Sequence, residues 1–182
     1  ELSDAAVDVM GYACLVAIMS MGRGYHSTSE ERLSQVTVDN GHPAPVVTSA
    51  GALLQGLGDL NAQRISIVTP YMRPLTDLVV DYIQDQGPEV IDSIALEIPD
   101  NLEVGRRDPM ALLKDVERLN TDGVDAVVIS ACVQMPSLAA IEPLQDKLGI
   151  PVTSAAACTA RKLLEAMDIE PVAPCAGAIL AG

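Results

Sequence analysis

The stretch VDAVVISACVQM, residues 124–135, decides the fold that this sequence predicts. Residues 126–131 are apolar or small and rich in β-branched types, which is typical of a strand buried on both faces in a parallel sheet. Pro136 and an amphipathic segment follow, so Cys132 is expected where a central strand ends and a helix is about to begin. Ligands of open α/β sheets bind at this carboxyl edge, and helix amides favour the thiolate form of a nearby cysteine.

A second copy of this phrase lies near the start of the chain. The segment VDVMGYACL (7–15) repeats the Val-Asp pair, the apolar run and the Ala-Cys pair of 124–133. The next predicted strand is repeated as well, because PVVTSA (45–50) matches PVTSA (151–155). Two matches in the same order indicate an internal duplication, in which each copy places one cysteine at the carboxyl end of an equivalent strand. The cysteine of the first copy is Cys14.

From residue 64 onward, predicted strands alternate with predicted helices. Four βα units in succession, joined by short connections, predict a parallel, right-handed, doubly wound sheet. The predicted strands are 64–71, 89–99, 124–131 and 151–155, and the predicted helices are 74–86, 109–120, 137–148 and 158–167.

The duplication predicts an α/β fold of two pseudo-symmetric lobes, each with a four-stranded parallel sheet flanked by helices. We expect residues 1–62 to form the C-terminal part of the first lobe, 63–168 the second lobe, and 169–182 a segment that returns to the first lobe. Cys132 lies 68 residues after the first residue of its lobe's first strand, whereas only 13 residues precede Cys14. About 55 residues of the first repeat are therefore expected to be missing, and the first lobe to be incomplete.

The composition is that of a globular protein without a nucleic-acid or membrane partner. At 182 residues and 49% hydrophobic content, the chain can bury a substantial core. The formal net charge of −14, with no Trp or Phe to stack on bases, argues against nucleic acid. Neither a run of about 20 apolar residues nor a signal-peptide pattern occurs, so we expect a cytoplasmic protein. An anionic ligand would have to be attracted by local N–H groups, because the overall charge opposes it.

The cysteines and histidines predict free thiols rather than a metal site. None of the four cysteines stands in a CxxC pair, which in a cytoplasmic chain favours free thiols over a disulfide framework or zinc. His26 and His42 lack metal-ligand spacing. Residues 22–27, Gly-Arg-Gly-Tyr-His-Ser, are expected to form a mobile loop.

The residues around the two strand-end cysteines carry a family resemblance. Tyr-Ala-Cys-Leu-Val (12–16) and Ser-Ala-Cys-Val-Gln-Met-Pro-Ser (130–137) resemble the aspartate/glutamate racemase superfamily, and within it the maleate cis–trans isomerases. The amino-acid racemases of that superfamily typically follow their first cysteine with Asn-Thr and their second with Thr-His. This chain has Leu-Val and Val-Gln there, so polar groups that would serve an ammonium-bearing substrate are absent.

The resemblance implies a cofactor-independent enzyme that isomerises maleate to fumarate. Cys14 is then the nucleophile that adds to C2 and forms an S-succinyl-cysteine, and Cys132 gives a proton to C3 and takes it back. No metal or other cofactor is needed, the binding partner is a small dicarboxylate, and the chain is expected to assemble as a homodimer or larger homo-oligomer. The residues implied to hold the substrate carboxylates are Tyr71, Asn101 and the backbone N–H groups of Cys14, Leu15, Val16, Val133 and Gln134.

Other interpretations remain open on the residues alone. The same superfamily contains two-cysteine amino-acid racemases and arylmalonate-type decarboxylases, and a two-lobe protein that only binds a small anion is an alternative from another class. Tyr71 and Asn101 also suit a capping aromatic residue and a turn former. Cys158 and Cys175 are expected to be structural. The Thr-Ser pairs at 48–49 and 153–154 are expected to be helix N-caps.

Overall fold

The computed structural model describes residues 2–181 as two groups of parallel strands flanked by helices. The first lobe contains two paired parallel strands, with Met10 opposite Val46 and Tyr12 opposite Thr48. Its elements are β1 (Met10–Tyr12), α1 (Leu15–Met19), α2 (Tyr25–Asp39), β2 (Val46–Thr48) and α3 (Ser49–Asp59).

The second lobe is a four-stranded parallel sheet in the order β4-β3-β5-β6. This arrangement confirms the predicted α/β class and the succession of βα units. The strands are β3 (Arg64–Thr69), β4 (Glu89–Ala95), β5 (Ala126–Ser130) and β6 (Val152–Ser154), and the helices are α4 (Arg73–Asp85), α5 (Asn101–Arg106), α6 (Leu112–Val116), α7 (Leu138–Leu148) and α8 (Ala155–Ala166).

Strand β5 is the centre of the second lobe, as the opening stretch predicted. It pairs with β3 on one side and with β6 on the other, and all five of its residues are buried. A strand covered on both faces needs apolar side chains in both directions, which explains why this run does not alternate. The strand therefore delivers its carboxyl end, and the loop beyond it, from a rigid part of the core.

Helices α3 and α8, which follow the matching strands β2 and β6, pack against each other across the two lobes. Gly56 makes their close approach possible. A Cβ atom at this position would lie 2.5 Å from the sulfur of Cys158, well inside van der Waals contact. Any larger residue at 56 would push the two helices apart.

Several predicted boundaries were wrong because local capping competed with the longer pattern. The helix expected over 109–120 is a 3₁₀ turn at Pro109–Ala111 followed by the short α6, and the Asp108 side chain caps that turn. Helix α5 was not predicted at all. Asp100 starts it by accepting a hydrogen bond from the Leu102 N–H.

Three further corrections concern element ends. Strand β4 stops at Ala95, before the predicted end at 99. Helix α8 begins at Ala155 rather than at Cys158, because the Ser154 side chain caps it through the Ala157 N–H. Residues 25–27 are not a loop but the first turn of α2, which follows Gly24 in a left-handed conformation.

The tail at 169–181 contacts helices α7 and α8 through two hydrogen bonds. The Gln145 side chain accepts a hydrogen bond from the Ala178 N–H, and Arg161 donates one to the Ile179 carbonyl. Gly177 has φ = 69°, and a Cβ there would lie 2.6 Å from a methyl group of Ile141. The division at 62/63 and 168/169 stays a prediction, and its outermost residues, 1 and 182, lie outside the described part of the chain.

Candidate active site

Cys14 stands at the N-terminus of α1, two residues after β1 ends. It is the N-cap residue, with an extended backbone and an exposed side chain. Leu15 and Val16 follow as the first helical residues, so their N–H groups have no partner within the helix. The prediction that these amides lie at a helix start beside the first cysteine is confirmed.

Cys132 lies in the loop after β5 and is 7% exposed. The buried Ser130 hydroxyl donates a hydrogen bond of 2.7 Å to the Cys132 carbonyl, which fixes the course of this loop. Helix α7 begins only at Leu138. Val133 and Gln134 therefore lie in the irregular loop before this helix and not in its first turn.

Tyr71 lies close enough to both cysteines to feel their charges. It follows β3, the strand next to β5, and is partly buried. Burial raises the pKa of its phenol far above the usual range, and the charge of the Cys132 thiolate, a hydrogen bond with Cys132 and the charge of Cys14 raise this pKa further. Both sulfurs thus lie within electrostatic reach of one hydroxyl group that stays neutral and can donate a hydrogen bond.

Asn101 is the first residue of α5 and is exposed. Its backbone oxygen accepts a hydrogen bond from the Gln134 side chain, two residues beyond Cys132. The loop that leads to Asn101 is tied to the loop of Tyr71. The Leu96, Glu97 and Ile98 N–H groups donate to the carbonyls of 69, 71 and 70. The structure therefore links three of the predicted second-lobe site residues, Tyr71, Asn101 and Cys132.

Comparison with known proteins agrees with this geometry. The family model for arylmalonate decarboxylase (Amdase) matches residues 3–180. A curated maleate isomerase from Pseudomonas putida KT2440 is 58% identical over 182 residues, covering 100% of this chain and 73% of that protein. The chain belongs to the maleate isomerase family. This membership confirms the resemblance carried by 12–16 and 130–137.

Two solved maleate isomerase structures superimpose closely on the fold. One, from Pseudomonas putida S16, is a cysteine-to-alanine variant with maleate, with a TM-score of 0.97 and 56% identity over 100% of this chain and 72% of that one. The other, from Nocardia farcinica, is a cysteine-to-serine variant with a covalently bound succinylcysteine intermediate. Its TM-score is 0.94, with 44% identity over 98% of this chain and 73% of that one.

Residues 22–27 play a structural part rather than closing over the site. The Arg23 guanidinium lies 3.0 Å from the Asp85 carboxylate, and His26 Nδ1 lies 2.8 Å from the Tyr82 hydroxyl. These contacts fasten the start of α2 to α4. The expected N-caps are present. The Thr48 side chain caps α3 by accepting from the Gly51 N–H, and the Ser154 side chain caps α8 by accepting from the Ala157 N–H.

Residues 2–181 contain neither a candidate metal-binding cluster nor a candidate membrane-spanning helix. No group of three or more His, Cys, Asp or Glu side chains there is arranged to hold a metal ion. In that same stretch, no helix has the length and apolar character needed to cross a membrane.

Two contributions to the site were missed by sequence analysis. The Ser130 hydroxyl and the Gln134 side chain both shape the Cys132 loop through hydrogen bonds to backbone oxygens. The Gln134 bond joins residues 33 positions apart, so no local pattern signals it. In the sequence, Ser130 is one small residue in an apolar run. The only sign of its role is that a hydroxyl buried at the end of a strand needs a hydrogen-bond partner.

The other two thiols differ from the site cysteines in their surroundings. Cys158 is fully buried on α8 with its sulfur 3.3 Å from the Thr153 hydroxyl, and burial raises the pKa of its thiol to about 11. Cys175 is exposed in the tail, and a hydrogen bond with Glu142 raises its pKa. A thiolate forms readily at neither position, which supports their structural interpretation.

The buried Cys158 thiol should make the fold sensitive to alkaline pH. The unfolded chain releases this proton near pH 9, whereas the folded chain keeps it to about pH 11, so unfolding becomes easier as pH rises across that interval. We expect the free energy of unfolding to fall by about 2 to 3 kcal/mol more between pH 9 and 11 than in Cys158→Ala. Urea unfolding at several pH values measures this, with Cys175→Ala as the exposed-thiol control, which should change the pH dependence much less than Cys158→Ala. Parallel pH profiles for wild type and Cys158→Ala would contradict it.

Proposed function

We propose that this chain catalyses the cofactor-independent isomerisation of maleate to fumarate through a covalent S-succinyl intermediate on Cys14. The observation that carries the proposal is the placement of Cys14 and Cys132 just beyond the ends of two equivalent parallel strands, with Tyr71 near enough to both for their charges to raise its pKa. Two thiols from duplicated strand ends around one neutral donor suit addition to an alkene and proton transfer. Membership of the maleate isomerase family supports this choice.

The first step is addition of the Cys14 thiolate to C2 of maleate. A C–S bond forms, and the π electrons of the C2–C3 bond move to C3 and into the carboxylate attached there. Cys14 is exposed and caps α1, so the unpaired N–H groups of Leu15 and Val16 can hold a substrate carboxylate. These local donors offset the repulsion expected from a chain of net charge −14.

The second step is proton transfer from the Cys132 thiol to C3. The product is S-succinyl-Cys14 with Cys132 as thiolate, and the C2–C3 bond is now single, so the substrate can rotate about it. The Cys132 thiolate then removes a proton from C3, the C–S bond breaks, and fumarate leaves with both thiols returned to their starting states. These steps need no electron acceptor and no cofactor.

Tyr71 stabilises the charge that develops in these steps. Its raised pKa keeps the phenol protonated at neutral pH, so it donates a hydrogen bond either to the substrate carboxylate on C3 or to the Cys132 thiolate. Asn101, tied to the same edge of the sheet, adds a second donor for the carboxylate.

Removing either polar donor should slow the reaction measurably. We expect Tyr71→Phe and Asn101→Ala each to lower kcat/KM by about 10- to 150-fold, which corresponds to about 1.5 to 3 kcal/mol for a hydrogen bond to a charged group. Steady-state rates with maleate test this, and Tyr12→Phe, on the exposed strand β1, serves as the matched tyrosine control. Unchanged kinetics in both site variants would remove these two residues from the site.

One experiment separates the isomerase from its alternatives. The protein is incubated with maleate, and its intact mass and the fumarate formed are measured. An isomerase gives fumarate and an adduct of one substrate molecule on Cys14. An arylmalonate-type decarboxylase would release CO₂ from an arylmalonate instead, a racemase would exchange the α-proton of an amino acid, and an anion-binding protein would show no adduct.

The proposal also covers the oligomeric state of the chain and its location in the cell. We infer a homodimer or larger homo-oligomer in the cytoplasm, as the family resemblance implies. Light scattering coupled to gel filtration tests the assembly, and a monomeric mass at micromolar concentration would contradict it.

A further inference from the structure

We propose that the Gln134 side chain is a positioning residue that holds Asn101 against the loop carrying Cys132. Gln134 Nε2 donates a hydrogen bond to the Asn101 backbone oxygen. This bond joins the loop after β5 to the first residue of α5, so it sets where one substrate contact lies relative to the proton donor. The inference rests on the proposed function, because Asn101 binds a carboxylate only in that scheme.

Helix α5 is held partly through its flanks, because residues 96–98 bond to the loop of Tyr71 and the C-cap residue Arg107 pairs with Asp115. It is six residues long, and a helix of that length is not stable by itself. Val104 is its one buried residue, and the cap from Asp100 to the Leu102 N–H is internal to the segment. Within the helix itself, the exposed Asn101 is held by the Val104 anchor and by the bond from Gln134.

The Gln134 side chain also lies along one face of α5. A Cβ atom at Gly105 would sit 3.7 Å from Gln134 Cγ and 3.5 Å from Nε2, which is ordinary contact distance. Residues 101 and 105 are four apart and so occupy the same face of the helix. Gln134 thus lies beside both residues, and losing its amide would remove one of the contacts that hold the start of α5.

The backbone and the side chain of Gln134 have separate roles in this scheme. The N–H group is a proposed carboxylate donor, whereas the side chain acts only through Asn101. A replacement that keeps the chain length and the backbone N–H but removes the Nε2 donor isolates the side-chain role. Methionine meets both conditions.

The test is a double-mutant cycle with Gln134→Met and Asn101→Ala. We expect Gln134→Met to lower kcat/KM for maleate about 3- to 10-fold, the effect of losing one neutral hydrogen bond. The double variant should be no slower than Asn101→Ala by more than twofold, because the positioning role disappears with the residue it positions. Alkylation of Cys14 by iodoacetamide, a neutral reagent that needs no carboxylate site, should keep its wild-type rate in all three variants.

Gln145→Met is the matched control. The Gln145 side chain likewise bonds to the backbone, but it accepts, from the N–H groups of Ala178 and Val152, and it connects α7 to the tail. We expect it to lower Tm without changing kcat/KM.

The outcomes distinguish failure of the positioning role of Gln134 from failure of the proposed isomerase function. Wild-type kcat/KM in Gln134→Met, additive losses in the double variant, or slowed iodoacetamide alkylation in Gln134→Met would each overturn the positioning role alone. Absence of maleate turnover in the unmodified protein would overturn the proposed function and this role with it.

Discussion

Replacing Cys14 by alanine is expected to abolish both maleate turnover and the covalent adduct. Cys14 is the exposed thiol at the α1 N-terminus, while Cys132 is buried and Cys158 is fully enclosed with a raised pKa. Without a sulfur at 14, no thiolate is placed to add to C2, and the route through a single C2–C3 bond closes. Fumarate formation and intact mass in the presence of maleate measure the effect.

The control for this variant is Cys175→Ala, which removes the other exposed thiol and should keep kcat within a few-fold. A Cys14→Ala protein that retained a tenth of the wild-type rate would exclude Cys14 as the nucleophile. The exposed Cys14 side chain contributes little packing, so the variant should keep the wild-type Tm. An unchanged Tm would show that activity is lost because the nucleophile is missing and not because the protein is misfolded.

Replacing Cys132 by serine is expected to stop turnover while leaving Cys14 able to bond the substrate. Serine can supply the proton for C3 slowly, but its hydroxyl is too weak a base to remove it again, so the intermediate should accumulate. The intact mass of the serine variant after incubation with maleate should show one added substrate molecule. Adding Cys14→Ala to the serine variant should abolish this adduct. A serine variant that turns over normally would show that Cys132 is not the proton carrier. A succinylcysteine intermediate in a cysteine-to-serine variant of the Nocardia farcinica relative is consistent with this expectation.

The sequence predicted the parts of the fold that depend on repetition and burial. Strand β5 was predicted because a short, uninterrupted apolar run rich in β-branched residues is typical of a buried strand. The matching phrase at 7–15 then identified Cys14 by analogy with Cys132. The structure then placed Tyr71 in reach of both thiols. Only the three-dimensional pairing of β3 with β5 explains why a residue 61 positions before Cys132 belongs to the same site.

The sequence could not predict features that rest on one long-range hydrogen bond or on competing caps. Helix α5 exists because Asp100 caps it and Val104 anchors it, and neither signal outweighs the turn-forming pattern around Pro99. The helix after the Cys132 loop was predicted from residue 137 and starts at Leu138, but the irregular course of the loop at Val133 and Gln134 could not be predicted. Its course depends on the Ser130 hydroxyl, whose partner is a backbone oxygen that no side-chain pattern reveals.

The contact between Gly56 and Cys158 has an evolutionary consequence. Because a Cβ at 56 would meet the Cys158 sulfur at 2.5 Å, the two positions cannot drift independently. A lineage that acquires alanine at 56 can keep the helix spacing only if 158 becomes smaller, so the two sites should covary among descendants of this gene. Each helix follows a strand that pairs with β1 or β5, the two strands that precede Cys14 and Cys132. Selection for isomerisation would thus act on a pair of residues that never touch the substrate.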